Sequence, residues 1–229
     1  MIKGVAFDAY GTLFDVYSVL QKCEEAYPGS GGKISQLWRQ KQLEYSWLRT
    51  LMGRYETFWH ITEDALRFTL DTLGLDYDAS RIDDILKAYF ELDTYPDVLE
   101  ALELLRPRPA VILTNGNVSM LDQLVANSSL DGHLDGILSA DTVKLFKPRP
   151  EVYQLAVSHL ALAPHEILFV SSNSWDVTGA KSFGFTVGWI NRQNQPVEHL
   201  NAPPDYTVSS LLELAQAIEA EDGHSPERS

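Results

Sequence analysis

Five short apolar runs punctuate the chain: KGVAFDA (3–9), AVILTN (110–115), DGILSA (135–140), EILFVSSN (166–173) and TVGWIN (186–191). Their length and near-continuous apolar character predict strands buried on both faces. Around them lie stretches with helical spacing: PDVLEALELL (96–105), SMLDQLVANSSL (119–130), PEVYQLAVSHLAL (150–162) and DVTGAKSFGF (176–185). A last helix is predicted over SLLELAQAIEAE (210–221), and DGHSPERS behind it reads as a polar, frayed tail. Strands alternating with amphipathic helices predict an α/β fold with a doubly wound parallel sheet.

One segment breaks this alternation. Residues 16–95 carry helical pattern without a convincing strand, interrupted at PGSGG (28–32) and near GLDYDAS (74–80). Its strongest pieces are 37–55 and 56–74. The expected organisation is therefore a core of residues 1–15 and 96–229, with a helical cap of residues 16–95 inserted after the first strand.

Ligands of such sheets bind at the carboxyl ends of the strands. Polar clusters fall at those ends: Asp8 to Thr12, Thr114 to Asn117, Lys147 with Pro148, and Ser171 to Asp176. Each alone is ordinary turn chemistry; four on one sheet edge point to a site. Asp8 followed by Gly11 and Thr12 is the strongest of them.

Composition narrows the partners. The 229 residues are 45% apolar and 22% charged, and the net charge of −14 argues against a nucleic-acid surface. No apolar run approaches the roughly 18 residues of a membrane span. The single cysteine excludes an intramolecular disulfide, and no paired Cys/His spacing suggests structural zinc. A cytoplasmic protein is the expectation.

The order of these motifs resembles the haloacid dehalogenase superfamily, in its L-2-haloacid dehalogenase branch. The strings that carry the likeness are FDAYGTLFDV, LWRQKQLEYSWLRTLMGRY, KPRPEVY and FVSSNSWDV, which span nearly the whole chain. The resemblance implies a Rossmann-like core under a helical cap and a homodimer, with Trp38, Tyr45 and Trp47 on the stretch that offers apolar surface. Phosphatases of that superfamily carry a second aspartate two residues after the nucleophile, to protonate an alkoxide leaving group. Tyr10 stands there in this chain, and a departing halide needs no proton. Asn173 likewise stands where an acid would help to hold Mg²⁺, so neither metal nor cofactor is expected.

The chemistry so implied is covalent catalysis. Asp8 attacks the halogen-bearing carbon of a short 2-haloalkanoic acid and expels halide. Water then cleaves the ester, giving a 2-hydroxyalkanoic acid of inverted configuration. Two carboxylates about 5 Å apart repel by about 3 kcal/mol at an effective dielectric near 20, and Lys147 is placed by the likeness to offset this. Thr12 and Ser171 would orient Asp8 and substrate; Arg39 and Asn115 match halide-receiving positions; Asn173 and Asp176 would place and activate water, with Tyr153 holding the network. Tyr10, Gln40, Leu43, Phe58, Thr114 and Trp175 match positions that line the substrate, Thr114 replacing a more usual serine. Read without the likeness, Arg39 is a solvated helix charge, Lys147 a loop lysine and Tyr153 a helix residue. The alternatives are a Mg²⁺-dependent phosphatase, a dehalogenase of haloacetates including fluoroacetate, and a binding module that has lost catalysis.

Overall fold

The computed structural model describes residues 1–128, 130 and 132–223. Its sheet is six-stranded and parallel throughout, in the order β3-β2-β1-β4-β5-β6. β1 is Gly4–Phe7, β2 Ala110–Thr114, β3 Gly136–Ser139, β4 Ile167–Ser171, β5 Thr186–Ile190 and β6 Tyr206–Val208. Every residue of β1, β2 and β4 is buried, as their unbroken apolar sequence requires of inner parallel strands. Phe7 pairs with Ile112 on one side and Val170 on the other. β1 is thus the point where strand order reverses, and the crevice above its carboxyl end is where such sheets bind ligands. β6 was not anticipated: it has three residues, follows a Pro-Pro pair and lies half exposed at the sheet edge, too short for an alternation signal.

The helices fill in around this sheet. α5 (Val98–Leu104) packs on α9 (Leu211–Gly223), whereas α7 (Pro150–Leu160) packs on α8 (Ser174–Phe183). α6 (Val118–Asn127) lies against β3. The expected tail begins later than the sequence suggested, because Asp222 and Gly223 belong to α9, and Arg108 pairs at 2.6 Å with both Glu219 and Asp222. The rest of that tail, from residue 224 onwards, lies outside the described residues, as does Ser129 of the expected 119–130 helix.

Between β1 and α5 the chain forms α1 (Tyr17–Ala26), α2 (Gly31–Met52), α3 (Phe58–Leu73) and α4 (Ala79–Leu86), then a 3₁₀ turn, Lys87–Phe90. α3 starts at Thr57, whose side chain accepts from His60 N, and stops at left-handed Gly74. α2 begins at Gly31, earlier than its apolar pattern predicts. The PGSGG glycines looked like a break, but Glu24 of α1 accepts from Gly29 N and Gly31 N, satisfying donors before the helix. A Cβ on Gly31 would lie 2.7 Å from Glu24 Cα, so this glycine permits the close α1–α2 approach. Trp38 is buried between α2 and α3, its Nε1 donating to Thr62 O at 2.7 Å. It is therefore interior; the apolar surface of α2 is instead Leu48, Leu51 and Met52.

The segments on either side of these helices pair with each other. Tyr95 N donates to Leu13 O at 3.0 Å, Asp15 N to Asp93 O at 2.8 Å, and Phe14 bridges Thr94. Farther along the boundary, Tyr55 OH donates to Asp141 Oδ1 (2.7 Å), Phe146 N to Thr50 Oγ1 (3.1 Å) and Trp59 N to Asn117 Oδ1 (3.0 Å).

Candidate active site

Asp8 follows β1 directly, and its backbone N donates to Val170 O of β4 at 2.9 Å, which fixes the side chain over the crevice. The turn after it needs Gly11, whose φ is +83° and where a Cβ would stand 3.1 Å from Ser172 Oγ. The Asp8 side chain is 11% exposed and its carboxylate is held from several sides. Its Oδ2 accepts from Asn173 Nδ2 at 2.7 Å and lies 3.3 Å from the hydroxyls of Thr12 and Ser171. Its Oδ1 accepts from Lys147 Nζ at 3.1 Å.

Lys147 is fully buried, which a lysine tolerates only when paired. Its second partner is Asp176 Oδ2 at 2.7 Å, and Phe169 places its ring centroid 5.0 Å away. Burial alone would push the ammonium pKa down; the carboxylates of Asp176 and Asp8 outweigh that and raise it. Asp176, itself fully buried, has its carboxyl pushed up to about 6 by desolvation, with Lys147 pulling downwards and Asp8 upwards. Tyr153 OH donates to Asp176 Oδ1 at 2.7 Å, and burial together with that carboxylate raises its phenol well above the usual range. It remains a neutral donor.

Arg39 reaches this cluster from α2. One terminal nitrogen donates to Asn173 Oδ1 at 3.2 Å and the other to Gln42 Oε1 at 2.7 Å. Both acceptors are neutral amides, and Arg39 forms no ion pair among the described residues. Gln42 is buried and in turn donates to Thr62 Oγ1 (2.7 Å) and Tyr89 OH (3.4 Å). The side chains of Asp8, Asp176, Lys147 and Arg39 therefore sum to zero formal charge.

Tyr10 is buried beside Asp8, edge-on to Tyr89 at 5.6 Å, which is edge-on to Trp38 at 5.4 Å. Burial, then Tyr89 and Asp8, raise its phenol far above the ordinary value, so it is a poor proton donor. Thr114 Oγ1 accepts from Gly116 N at 3.0 Å, and Asn115 Oδ1 accepts from Lys147 N at 2.9 Å. Phe58 packs on Phe146, next to Lys147, with ring centroids 6.0 Å apart. Trp175 meets Trp47 of α2 edge-on at 5.6 Å, its indole N–H without a partner among the described residues. Leu43 is half-buried, and Gln40 is exposed with no hydrogen bond tying it to the cluster.

Hydrogen bonds thus join Asp8, Thr12, Ser171, Asn173, Arg39, Lys147, Asp176, Tyr153 and Asn115 into one network. Sequence reasoning passed over three contributors. Gln42 occupies a core position of α2 in the series Ile34, Trp38, Gln42, where a polar residue signals a buried partner. Tyr89 lay in a segment without a motif. Gly179 sits inside α8, where a Cβ would fall 2.5 Å from Tyr153 OH and from Pro148 Cβ; a glycine inside a helix is the signal of such an approach.

A family model described as haloacid dehalogenase-like hydrolase matches residues 2–184. This chain belongs to that family. Among the haloacid dehalogenase-like hydrolases it is 53% identical over 195 residues to an (S)-2-haloacid dehalogenase of Xanthobacter autotrophicus, covering 85% of this chain and 77% of that protein. An (S)-2-haloacid dehalogenase of Pseudomonas putida is 48% identical over 216 residues, covering 93% and 95%. The fold superposes with a TM-score of 0.91 on a structure of the X. autotrophicus L-2-haloacid dehalogenase with chloropropionic acid covalently bound. That match is 45% identical and covers 96% of this chain and 99% of the other.

Proposed function

We propose that this protein hydrolyses short (S)-2-haloalkanoic acids to 2-hydroxyalkanoic acids of inverted configuration through an ester on Asp8. The observation that carries the reading is Tyr10 beside Asp8. A buried phenol with a raised pKa is a far poorer general acid for an alkoxide leaving group than a carboxyl group, and halide departs without a proton. The charge balance supports it as well: a site of zero net charge accepts a monoanionic haloacid more readily than a phosphate ester dianion.

Asp8 Oδ1, with one donor, is the freer oxygen and attacks the halogen-bearing carbon as the carbon–halogen bond breaks. Arg39 and Asn115 receive the halide, since both present N–H donors; Asn115 Nδ2 has no partner among the described residues. Asp8 Oδ2, already facing Asn173, Ser171 and Thr12, becomes the oxyanion when water attacks the ester carbonyl. Asp176 takes the proton from that water and returns it to the departing hydroxyl oxygen. A carboxyl pushed to about 6 is a suitable base near neutral pH. Tyr153 orients Asp176. Tyr10, Leu43, Phe58, Thr114 and Trp175 enclose the alkyl side, with Gln40 at the rim.

We further propose that residues 16–95 act as the cap, which the paired segments 13–15 and 93–95 support, and that the protein works in the cytoplasm as a homodimer through the exposed Leu48, Leu51 and Met52. The deciding experiment is halide release from each enantiomer of 2-chloropropionate with EDTA present, for wild type and Asp8→Asn. L-selective release that survives EDTA and disappears in the variant establishes the reaction. Phosphate release from p-nitrophenyl phosphate with Mg²⁺, without halide release, overturns it; release from fluoroacetate alone moves the substrate to haloacetates.

A further inference from the structure

A cleft of about 350 Å³ opens beside the site, walled by Arg39, Asn173, Tyr95, Trp189, Arg192 and Gln195 among others. Asn173 is its inner wall and the residue that donates to Asp8 at 2.7 Å, so the cleft ends one side chain from the nucleophile. In a protein with 32 acidic residues, this cleft has two arginines in its lining and no acid. We propose that it is the route by which small carboxylate anions reach Asp8, with Arg192 as an outer binding residue that takes the carboxylate before the anion passes Arg39 and Asn173.

Arg192 stands on the loop after β5, its guanidinium 4.0 Å from the Tyr95 ring centroid. The ring helps to hold it at the cleft wall. Its acidic neighbour is Asp97: Arg192 Nη1 donates to Asp97 Oδ2 at 3.3 Å and Nη2 lies 3.3 Å from Oδ1. Asp97 Oδ2 also accepts from Leu211 N at 2.5 Å, so that carboxylate is shared with the start of α9, and the Arg192 side chain keeps 21% of its surface exposed. Two further acids stand at the rim: Glu198, engaged by Ser174 Oγ at 2.8 Å, and Asp15, which lies beside Tyr95 and accepts from Tyr17 N at 3.0 Å. The opposite boundary of the helical segment is tied to the core by the Tyr55, Thr50 and Trp59 hydrogen bonds, which leaves this side as the open one. A chain of net charge −14 repels anions at long range, and two arginines in series offset that repulsion where the substrate passes.

The proposal rests on the haloacid reading, and its test separates the two. Steady-state halide release from (S)-2-chloropropionate is measured at about 20 mM and about 500 mM ionic strength, where screening is weak and strong. Arg192→Gln is expected to lower kcat/KM about fivefold at low salt through KM, with kcat within about twofold and the loss shrinking at high salt. Arg192→Lys should recover most of it. Gln193→Glu, an exposed change on the same wall, should raise KM in the same salt-dependent way and guards against an Arg192 variant that fails to fold. Unchanged KM in folded Arg192→Gln and in Gln193→Glu overturns the proposal. Should the wild type release no halide at all, propionate binding followed by Trp189 fluorescence still decides it: weaker binding in Arg192→Gln upholds the cleft, and equal binding removes it.

Discussion

Lys147 Nζ lies 2.7 Å from Asp176 Oδ2 with both side chains fully buried, and the same ammonium reaches Asp8 at 3.1 Å. One cation thus pairs with the nucleophile and the candidate base together. Lys147→Met should cost about 3–5 kcal/mol of stability, because two carboxylates lose their buried partner, and should abolish halide release. Since the folded-state pKa of Lys147 is raised, its stabilisation is fully present below the unfolded lysine value of about 10.4 and is lost only as pH rises through the folded one. Thermal melts of both proteins should therefore differ by a constant amount between neutral and mildly alkaline pH, and converge only above that. A variant as stable as wild type would refute the assignment.

Removing the base should separate the two chemical steps. Asp176→Asn should still form the ester but hydrolyse it slowly, releasing about one halide per active site in a burst. Mass spectrometry of the peptide containing Asp8 should then show the added carboxyalkyl group. An unmodified peptide after a full burst would place the ester elsewhere.

The same carboxyl sets a pH limb. Asp176 must be charged to accept a proton, and its value is raised to about 6. In the ester Asp8 no longer carries the charge that helps to raise Asp176, so turnover should fall on an acid limb at or below about 6. A kcat profile with no acid limb would exclude Asp176 as the base.

Gln42 makes the holding of Arg39 testable at a distance from substrate. Gln42→Leu leaves Arg39 with Asn173 alone, removes the donor to Tyr89 OH and leaves Thr62 Oγ1 with its bond to Phe58 O, at a cost of about 1–3 kcal/mol. Halide release should drop at least tenfold, chiefly in kcat, and Gln42→Glu should restore part of it by offering Arg39 an acceptor. Equal kinetics for Gln42→Leu and wild type would show that Arg39 needs no holder.

Gly179→Ala is the smallest change aimed at the network. Its methyl group would meet Tyr153 OH and Pro148 Cβ at 2.5 Å, so Tyr153 must move away from Asp176. Overpacking of this kind costs about 1–3 kcal/mol, and turnover should fall with it. An alanine variant with native melting temperature and rate would mean that the backbone there yields.

The sheet was legible because inner parallel strands are apolar on both faces, and Asp8, Thr114 and Ser171 stand out as the polar residues that end such runs. Lys147 was harder: it follows the 3₁₀ turn Ala140–Thr142 and a loop, so its place at the sheet edge was the least direct, and only the resemblance gave it a role. The start of α2 was misplaced because glycines near a helix start look like a break until Glu24 is seen satisfying them. Gln42 and Tyr89 lay hidden since their partners sit on other helices, and pairwise proximity across a fold leaves no trace in spacing. Trp38 read as surface or core with equal ease; Thr62 decides it. β6 owes its existence to a neighbour, β5, rather than to its own three residues.

Asp8 rides on β1, whose Val5 pairs with Ala110 and with Leu168. During synthesis that strand emerges before either of its partners and waits for them. Three of the carboxylate's own partners, Lys147, Ser171 and Asn173, come later still, after the intervening helices have had time to form from local contacts. Of the groups that hold the acid at the centre of the site, Thr12 alone is made alongside it.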